Sequence, residues 1–305
     1  MKLAYVVFAR NKEEHVPACV NSILAQTHSP MDIYFSDQGS EDNTLAAIKK
    51  TVNGYNGPNK VRVLECPDTE SRGQAGLMAH INWLHNNIDA DFWITSAADD
   101  IDYPDRAKRT VETLETLDRK PLFFGVGQDF ANPDLTSNSH NAKPDHSKWV
   151  EPIETLRDLI GGSVPGAWDP QLMNDFGPLP PQALSDVYLP FCAALMDRFY
   201  YLHEIHHAYV WRDDPNNTGL GGLMAQTDEG SDERLQLQEM VQYELAANMC
   251  VMTSVAQAIA ESHPSPGMED TLQYLYSGCL AQLGGWCAKR AELTAKRVPP
   301  QAVPA

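Results

Sequence analysis

The apolar positions of the chain fall into short runs that alternate with stretches of helical period. Leu3 to Phe8 is a continuous apolar run of strand-forming residues, as expected of a strand buried on both faces of a parallel sheet. Glu13 to Gln26 follows with Val16, Cys19, Val20, Ile23 and Leu24 at helical spacing, and with Glu13 and Glu14 in its first turn as partners of the helix dipole. The alternation continues with strands over Met31 to Ser36, Lys60 to Leu64, Phe92 to Thr95 and Leu122 to Val126. Between them the spacing predicts helices over Asn43 to Val52, Gly76 to Asn87 and Arg106 to Leu117. Strand then helix, repeated, predicts an α/β fold with a mixed, mainly parallel sheet flanked by helices.

Beyond Val126 the pattern changes. Asp129 to Trp149 is polar and rich in Asn, Ser, His and Pro, and reads as a long loop of the kind that covers a site. Val187 to Met196 predicts a helix, and Tyr200 to Val210 contains a strand. After Gly222, Asp232 to Glu261 and Met268 to Lys296 carry long helical periodicity, broken by Ser262-His263-Pro264-Ser265-Pro266-Gly267. They predict a C-terminal helical hairpin, with Met240, Met249 and Met252 as core or as the seam of a homodimer. The boundaries expected are a first domain over 1–219, divided into halves 1–127 and 128–219, a helical extension over 220–297, and a disordered Pro-rich tail over 298–305.

Of the 305 residues 43% are hydrophobic, enough for a proper core, and the formal net charge of −18 argues against a passive nucleic-acid or anionic-membrane surface. The six cysteines are scattered without a C-x-x-C pair and read as free thiols in a reducing compartment. Leu3 to Ala9 is too short for the apolar segment of a leader, with Arg10 and Lys12 at once behind it. No stretch approaches the roughly 20 apolar residues of a membrane span. A cytoplasmic location is the expectation.

The candidate chemistry lies where predicted strands end. Asp99-Asp100 follows the strand Phe92 to Thr95, and in an open α/β sheet the carboxyl edge is where ligands bind. Adjacent acids repel unless a cation offsets them, and the fitting cation is oxygen-loving, Mg²⁺ or Mn²⁺, with a diphosphate as its usual companion. The plain alternative is a turn that caps the next helix. Asp37-Gln38-Gly39-Ser40-Glu41-Asp42 also ends a strand and opens a helix. It is either an N-cap turn or a site where Asp37 or Gln38 pairs with the edge of a nucleotide base.

In their order and spacing these segments resemble family 2 glycosyltransferases of the GT-A, Rossmann-like fold. Phe8-Ala9-Arg10-Asn11-Lys12-Glu13 is similar to that family's first strand and Asn-containing turn, and Asp37-Gln38-Gly39-Ser40 to its Asp-Asp-Gly-Ser turn. Ala98-Asp99-Asp100 through Pro104-Asp105-Arg106 resembles its Asp-x-Asp region. Gly166 to Trp168, Phe176-Gly177-Pro178-Leu179 and Ser185-Asp186-Val187-Tyr188-Leu189 resemble its acceptor loop and base segment, and Tyr209-Val210-Trp211-Arg212 its closing strand. The resemblance covers about residues 2 to 219. It implies a nucleotide-sugar donor, a UDP-sugar, bound by Phe8, Arg10, Asn11, Asp37, Gln38, Arg72 and Asp99. It implies a metal, Mn²⁺ or Mg²⁺, at Asp100, with Asp214 as a second ligand where a solvated turn acid is the rival reading. Asp186 becomes the general base of an inverting transfer, and Trp168, Trp211 and Arg212 fall on the acceptor side.

The chain departs from the family pattern at Gln38, Ala97 and Ser185, where acids are usual. A Gln amide can still pair with a uracil edge, and Ala97 leaves the metal with few protein ligands. The expected acceptor is a saccharide, with a modified DNA base as the alternative. Two other readings remain: a catalytically inactive nucleotide-binding module, and a nucleotidyltransferase that releases diphosphate from a nucleoside triphosphate. Trp168 is either a core aromatic or a platform for a sugar. His203, His206 and His207 lack the companion spacing of a zinc site and read as residues of a strand face.

Overall fold

A computed structural model describes residues 1–68, 70–71, 73–132, 134–141, 144–159, 165–210, 231–262 and 267–297. It divides into two compact units, Met1–Arg212 and Asp213–Ala305.

The first unit is built on a ten-stranded sheet. In chain order its elements are β1 (Leu3–Ala9), α1 (Val16–Leu24), β2 (Asp32–Asp37), α2 (Thr44–Val52), β3 (Lys60–Glu65), α3 (Gly73–His85) and β4 (Phe92–Ala97). There follow β5 (Ile101–Asp102), α4 (Arg106–Thr116), β6 (Phe123–Ala131), β7 (Ser137–Asn141), β8 (Lys148–Trp149) and α5 (Pro152–Leu159). The unit ends with β9 (Gly166–Trp168), α6 (Gln171–Phe176), α7 (Ser185–Leu195) and β10 (Phe199–Val210). The sheet order is β3-β2-β1-β4-β9-β6-β10-β5, with β7 on β6 and β8 on β10.

The four strands β3-β2-β1-β4 are parallel, and every crossover between them carries a helix. β1 lies between β2 and β4 and is buried along almost its whole length, which is why it reads as an unbroken apolar run. β3, at the edge, alternates exposed and half-buried positions. β9 then runs antiparallel to both β4 and β6, so one three-residue strand joins the parallel half to the β6–β10 half. Leu3, Tyr5, Val7, Ile33, Phe35 and Ile94 form the center of the core with Val20 and Ile23 of α1.

Two expectations are corrected here. The polar stretch after Val126 is in part strand: β6 runs on to Ala131, β7 folds back on it antiparallel, and β8 pairs with β10. Its polar residues belong to strands at the margin of the sheet, where one side has no core to face. Glu13 and Glu14 also lie before α1, which begins at Val16. The Glu13 carboxylate accepts hydrogen bonds from the Asn43 backbone N–H (2.7 Å) and side-chain amide (2.8 Å), so it braces the entry to α2 instead of its own helix.

The second unit contains α8 (Asp232–Ser262) and α9 (Met268–Arg297), packed against each other as an antiparallel pair. Met249 and Met252 are buried, whereas Met240 is exposed. Among the described residues no helix is long and apolar enough to cross a membrane.

The junction strand β9 sets a strict limit on volume. A Cβ on Gly166 would come within 2.3 Å of the Phe123 ring, which is itself 1% exposed and has nowhere to move. Gly166→Ala is therefore expected to lower stability by about 1–3 kcal/mol, read as a lower urea midpoint with an unchanged m-value.

Candidate active site

The loops after β1, β2 and β4 meet at the carboxyl edge of the sheet, and short polar side chains lock them together. The Asp37 carboxylate accepts from the Ser40 N–H (3.0 Å) and the Ser40 hydroxyl (2.5 Å), closing the turn through Gly39 at φ 60°. Ser40 Oγ accepts from the Asn11 N–H (2.9 Å), and Asn11 Oδ1 accepts from the Glu41 N–H (2.8 Å). Asn11 has φ 50°, a conformation that Asn tolerates better than most residues. Asp37 and Gln38 are both buried, and the Gln38 amide donates to the Gly76 carbonyl of α3 (2.8 Å). In this geometry both side chains hold the loops in place. Arg10 reaches across to donate to the Ser71 carbonyl after β3 (2.6 Å).

Asp99 and Asp100 diverge. Asp99 pairs with Lys12 of the β1–α1 loop at 2.6 Å. Asp100 is 7% exposed, and its Oδ1 accepts from the Val210 N–H (3.1 Å). Its Oδ2 lies 3.4 Å from His207 Nε2. The other ring nitrogen, His207 Nδ1, bonds Asp102 (2.8 Å), and Asp102 also accepts from Arg106, all within a buried cluster. Burial raises Asp100, with the His207 contact working the other way. Burial likewise pushes Asp102 up, but Arg106 and His207 prevail and hold it well below the usual carboxylate range. For His207 burial disfavors the cation, yet Asp102 and Asp100 raise it to about 9.

A cavity of about 280 Å³ opens at this edge, walled by β4, β6, β9, β10, α3 and α7. Phe8, Asp100, Trp168 and Asp186 all line it, together with Gln128, His207 and Tyr209. Asp186 sits in the first turn of α7, whose residues Val187 to Leu195 are all buried. Its approach is set by α3. Asn82 bonds both backbone groups of Leu179 (2.7 and 2.9 Å), and the Gln74 amide donates to the Ala183 carbonyl (2.8 Å). Desolvation raises the Asp186 carboxyl. Trp168 lies on a strand, 4% exposed with its ring 5.9 Å from that of Trp93, so it is a core aromatic that also forms part of the cavity wall.

Of the anticipated residues, the structure gathers Phe8, Asp100, Trp168 and Asp186 around one cavity. It places Asn11, Asp37 and Gln38 in the loop scaffold beside it. Arg72, Trp211, Arg212 and Asp214 lie outside the described residues. His207 was passed over in the sequence. β10 changes register against β6 between Leu202 and Ile205 and again between Ile205 and His207, and this sets His207 opposite Gln128. Such irregularities re-aim side chains. The result puts His206 against Asp105 (3.1 Å) and Glu204 (2.9 Å), and His207 against the cavity.

Asp100 and His207 are the groups suited to a divalent cation. An imidazole that ligates a metal has its second nitrogen fixed by a carboxylate, as Asp102 fixes Nδ1 here. Among the described residues no group of three or more His, Cys, Asp or Glu converges on a common point. The pair fits Mg²⁺ or Mn²⁺ only if a bound diphosphate and water complete the shell.

The strand order and the cavity at the carboxyl edge define a doubly wound type of α/β protein, and comparisons with known proteins name the class. The family model for glycosyl transferase family 2 matches residues 5–177. The chain belongs to that family. An uncharacterized glycosyltransferase of Nostoc sp. is 28% identical over 120 residues, 39% of this chain and 34% of that protein. One from Rickettsia conorii is 22% identical over 165 residues, 54% of this chain and 26% of that protein. The chain thus spans about a third and a quarter of the length of these relatives. Among solved structures, residues 1–349 of S. aureus TarS in complex with UDP-GlcNAc align with TM-score 0.57 at 12% identity, covering 96% of this chain and 92% of that one. Mannosyltransferase PcManGT from Pyrobaculum calidifontis, in complex with GDP-Man and Mn²⁺, aligns with TM-score 0.50 at 12% identity, covering 97% and 88%. At such identities the likeness is one of fold.

Two buried histidines make stability depend on pH with opposite signs. His80 of α3 bonds Ser36 Oγ (2.7 Å), and burial, assisted by Arg10, lowers it to about 4. Its contribution is present above the unfolded value of about 6.5 and is lost as pH falls toward 4. His207, raised to about 9, contributes fully below about 6.5, and that contribution is lost as pH rises through 9. Urea titrations from pH 5 to 9 should give a maximum near pH 6.5, with stability falling by about 1 kcal/mol toward pH 5 and by about 2 kcal/mol toward pH 9. His80→Asn should flatten the acid arm alone, and His207→Asn the alkaline arm alone.

Proposed function

We propose that this chain transfers a sugar from a nucleoside diphosphate, a UDP-sugar, to a hydroxyl group of a saccharide, with inversion at the anomeric carbon. The observation that carries this reading is that Asp100 and Asp186, from separate halves of the unit, line one cavity at the carboxyl edge of the sheet. Family membership and the nucleotide-sugar complexes of TarS and PcManGT support the donor class. The acidity of the chain favors a neutral saccharide over a nucleic acid as acceptor.

In this mechanism the scaffold of Asn11, Asp37 and Ser40 holds the loops that receive the nucleotide, and Asp100 with His207 would hold the Mg²⁺ or Mn²⁺ that accompanies the diphosphate. When bound, the cation neutralizes the charge that develops on the departing diphosphate. Asp186 takes the proton from the acceptor hydroxyl as that oxygen attacks. A carboxyl raised by desolvation is a better proton acceptor than one held low by cations, and its place at the start of α7 favors its ionized form. Direct displacement requires nucleophile and leaving group on opposite sides of the sugar. In this reading Asp186 of α7 serves the attacking side and Asp100, in the turn after β4, the leaving-group side.

Asp186→Asn keeps the shape of the side chain and removes the base. We expect it to retain nucleotide binding, seen as unchanged thermal stabilization by UDP with Mn²⁺, while transfer in a mass-spectrometric assay with UDP-sugars and oligosaccharide acceptors falls about 10²–10⁴-fold. Full activity in the variant would remove the assigned base. Absence of stabilization of the native chain by any nucleoside diphosphate would remove the donor site.

A further inference from the structure

The α8–α9 hairpin carries a feature unrelated to the cavity chemistry. Cys250 of α8 and Cys279 of α9 bring their Sγ atoms to 2.9 Å. The register of the two helices imposes this approach. Trp286 stacks near Tyr243, ring centroids 5.8 Å apart, and its indole N–H donates to Glu239 (2.6 Å). One heptad further along each helix, in opposite directions, the facing pair is Cys250 and Cys279. Two glycines on α9 leave room for the flexible ends of α8 side chains. A Cβ on Gly278 would meet Met249 Cε at 2.3 Å, and one on Gly285 would meet Gln242 Oε1 at 2.7 Å.

We propose that Cys250 and Cys279 are a modification site, a dithiol that closes to a disulfide by exchange with a small disulfide of the glutathione type. The S–S bond is about 2.05 Å long, so closure asks for a movement of less than about 1 Å. Cys250 is exposed and Cys279 half-exposed, which gives a small reagent access. Cys19, Cys66 and Cys192 are buried, and Cys287 is exposed with no sulfur neighbor among the described residues. In the first step the Cys250 thiolate attacks one sulfur of the oxidized reagent, forms a mixed disulfide and expels one reagent thiolate. In the second, Cys279 loses its proton, attacks Cys250 Sγ and expels the second reagent thiolate. The protein dithiol is oxidized, the reagent disulfide is reduced to two thiols, and the balance closes. The bond would pin the two helices in register and fix the exposed Tyr243, Tyr276 and Leu280 side chains relative to one another.

The test equilibrates the full chain with mixtures of reduced and oxidized glutathione, followed by acid quench, digestion and mass spectrometry. The expected product is a Cys250–Cys279 cross-linked peptide, two hydrogens lighter than the paired thiol peptides and lost on reduction with dithiothreitol. It forms at a rate independent of protein concentration. Cys250→Ser and Cys279→Ser abolish it, and Cys287→Ser leaves it intact. Gly278→Leu, which crowds the Met249 side chain beside the pair, slows its formation while both thiols remain alkylatable. Single glutathione adducts on Cys250 and Cys279 without the cross-link would overturn the proposal, as would cross-links only between separate chains. The serine variants and the concentration dependence decide the matter even if the Gly278 variant does not fold.

Discussion

The candidate site depends first on one buried carboxylate. The Asp102 side chain has 0% exposure, a position in which an isolated acid would take up a proton. Arg106 and His207 hold it ionized, and each carries the restraint onward. Arg106 donates to the Gly166 carbonyl of β9 (3.2 Å), and His207 faces Asp100 at the cavity wall. One charge therefore fixes the relation of β5, α4, β9 and β10. Taking away both partners would leave an uncompensated buried charge, and even the loss of one removes half of that compensation. The network is better understood as a constraint on where Asp100 points than as net stabilization of the fold.

Around it, the loops at the sheet edge solve a second problem. Segments that must approach a ligand cannot bury their backbone in regular structure, yet their N–H groups still need partners. The Asp37–Ser40–Asn11 chain of hydrogen bonds supplies them across two loops, and Asp42 and Thr44 do the same for Glu13 and Lys12. The residue types that a nucleotide site calls for are also those that satisfy turns, which is why a capping role and a ligand role were both open from the sequence. Here the capping role accounts for the hydrogen bonds of Asp37, and the nucleotide would meet the surface that those bonds shape.

β1, β2 and β4 were legible because they are buried along almost their whole length, and they fall within a residue or two of where the pattern puts them. In the other half β6, α7 and β10 were also legible, whereas the short strands were not. β7, Ser-Asn-Ser-His-Asn, has no apolar face because it lies at the margin of the sheet, and β9 is only three residues cut from a Gly-rich stretch. His207 was hidden for a different reason. Two-residue alternation predicts facing only while the register is regular, and β10 breaks register twice just before it. The carboxylates at strand ends were legible from position alone, whereas their partners were set by tertiary contacts that no local pattern encodes.

Three carboxylates stand at or just behind the cavity wall in three different environments, and the difference bears on their chemistry. Asp102 lies between two cations and is held low, so it remains a fixed negative charge across the working pH range. Asp100 is raised by burial but shares the imidazole of His207, so a divalent cation arriving with a diphosphate would compete with a proton for the same pocket. Asp186 is raised by desolvation, and no cation among the described residues lowers it. Groups whose surroundings push their proton affinities apart are suited to different tasks. In the proposed mechanism Asp102 positions, Asp100 receives charge, and Asp186 exchanges the proton. On that division the absence of a fuller acid cluster at Ala97 matters less. The chemistry proposed for this cavity needs one receiving carboxylate and one proton acceptor, and the fold brings one from each half to the cavity lining.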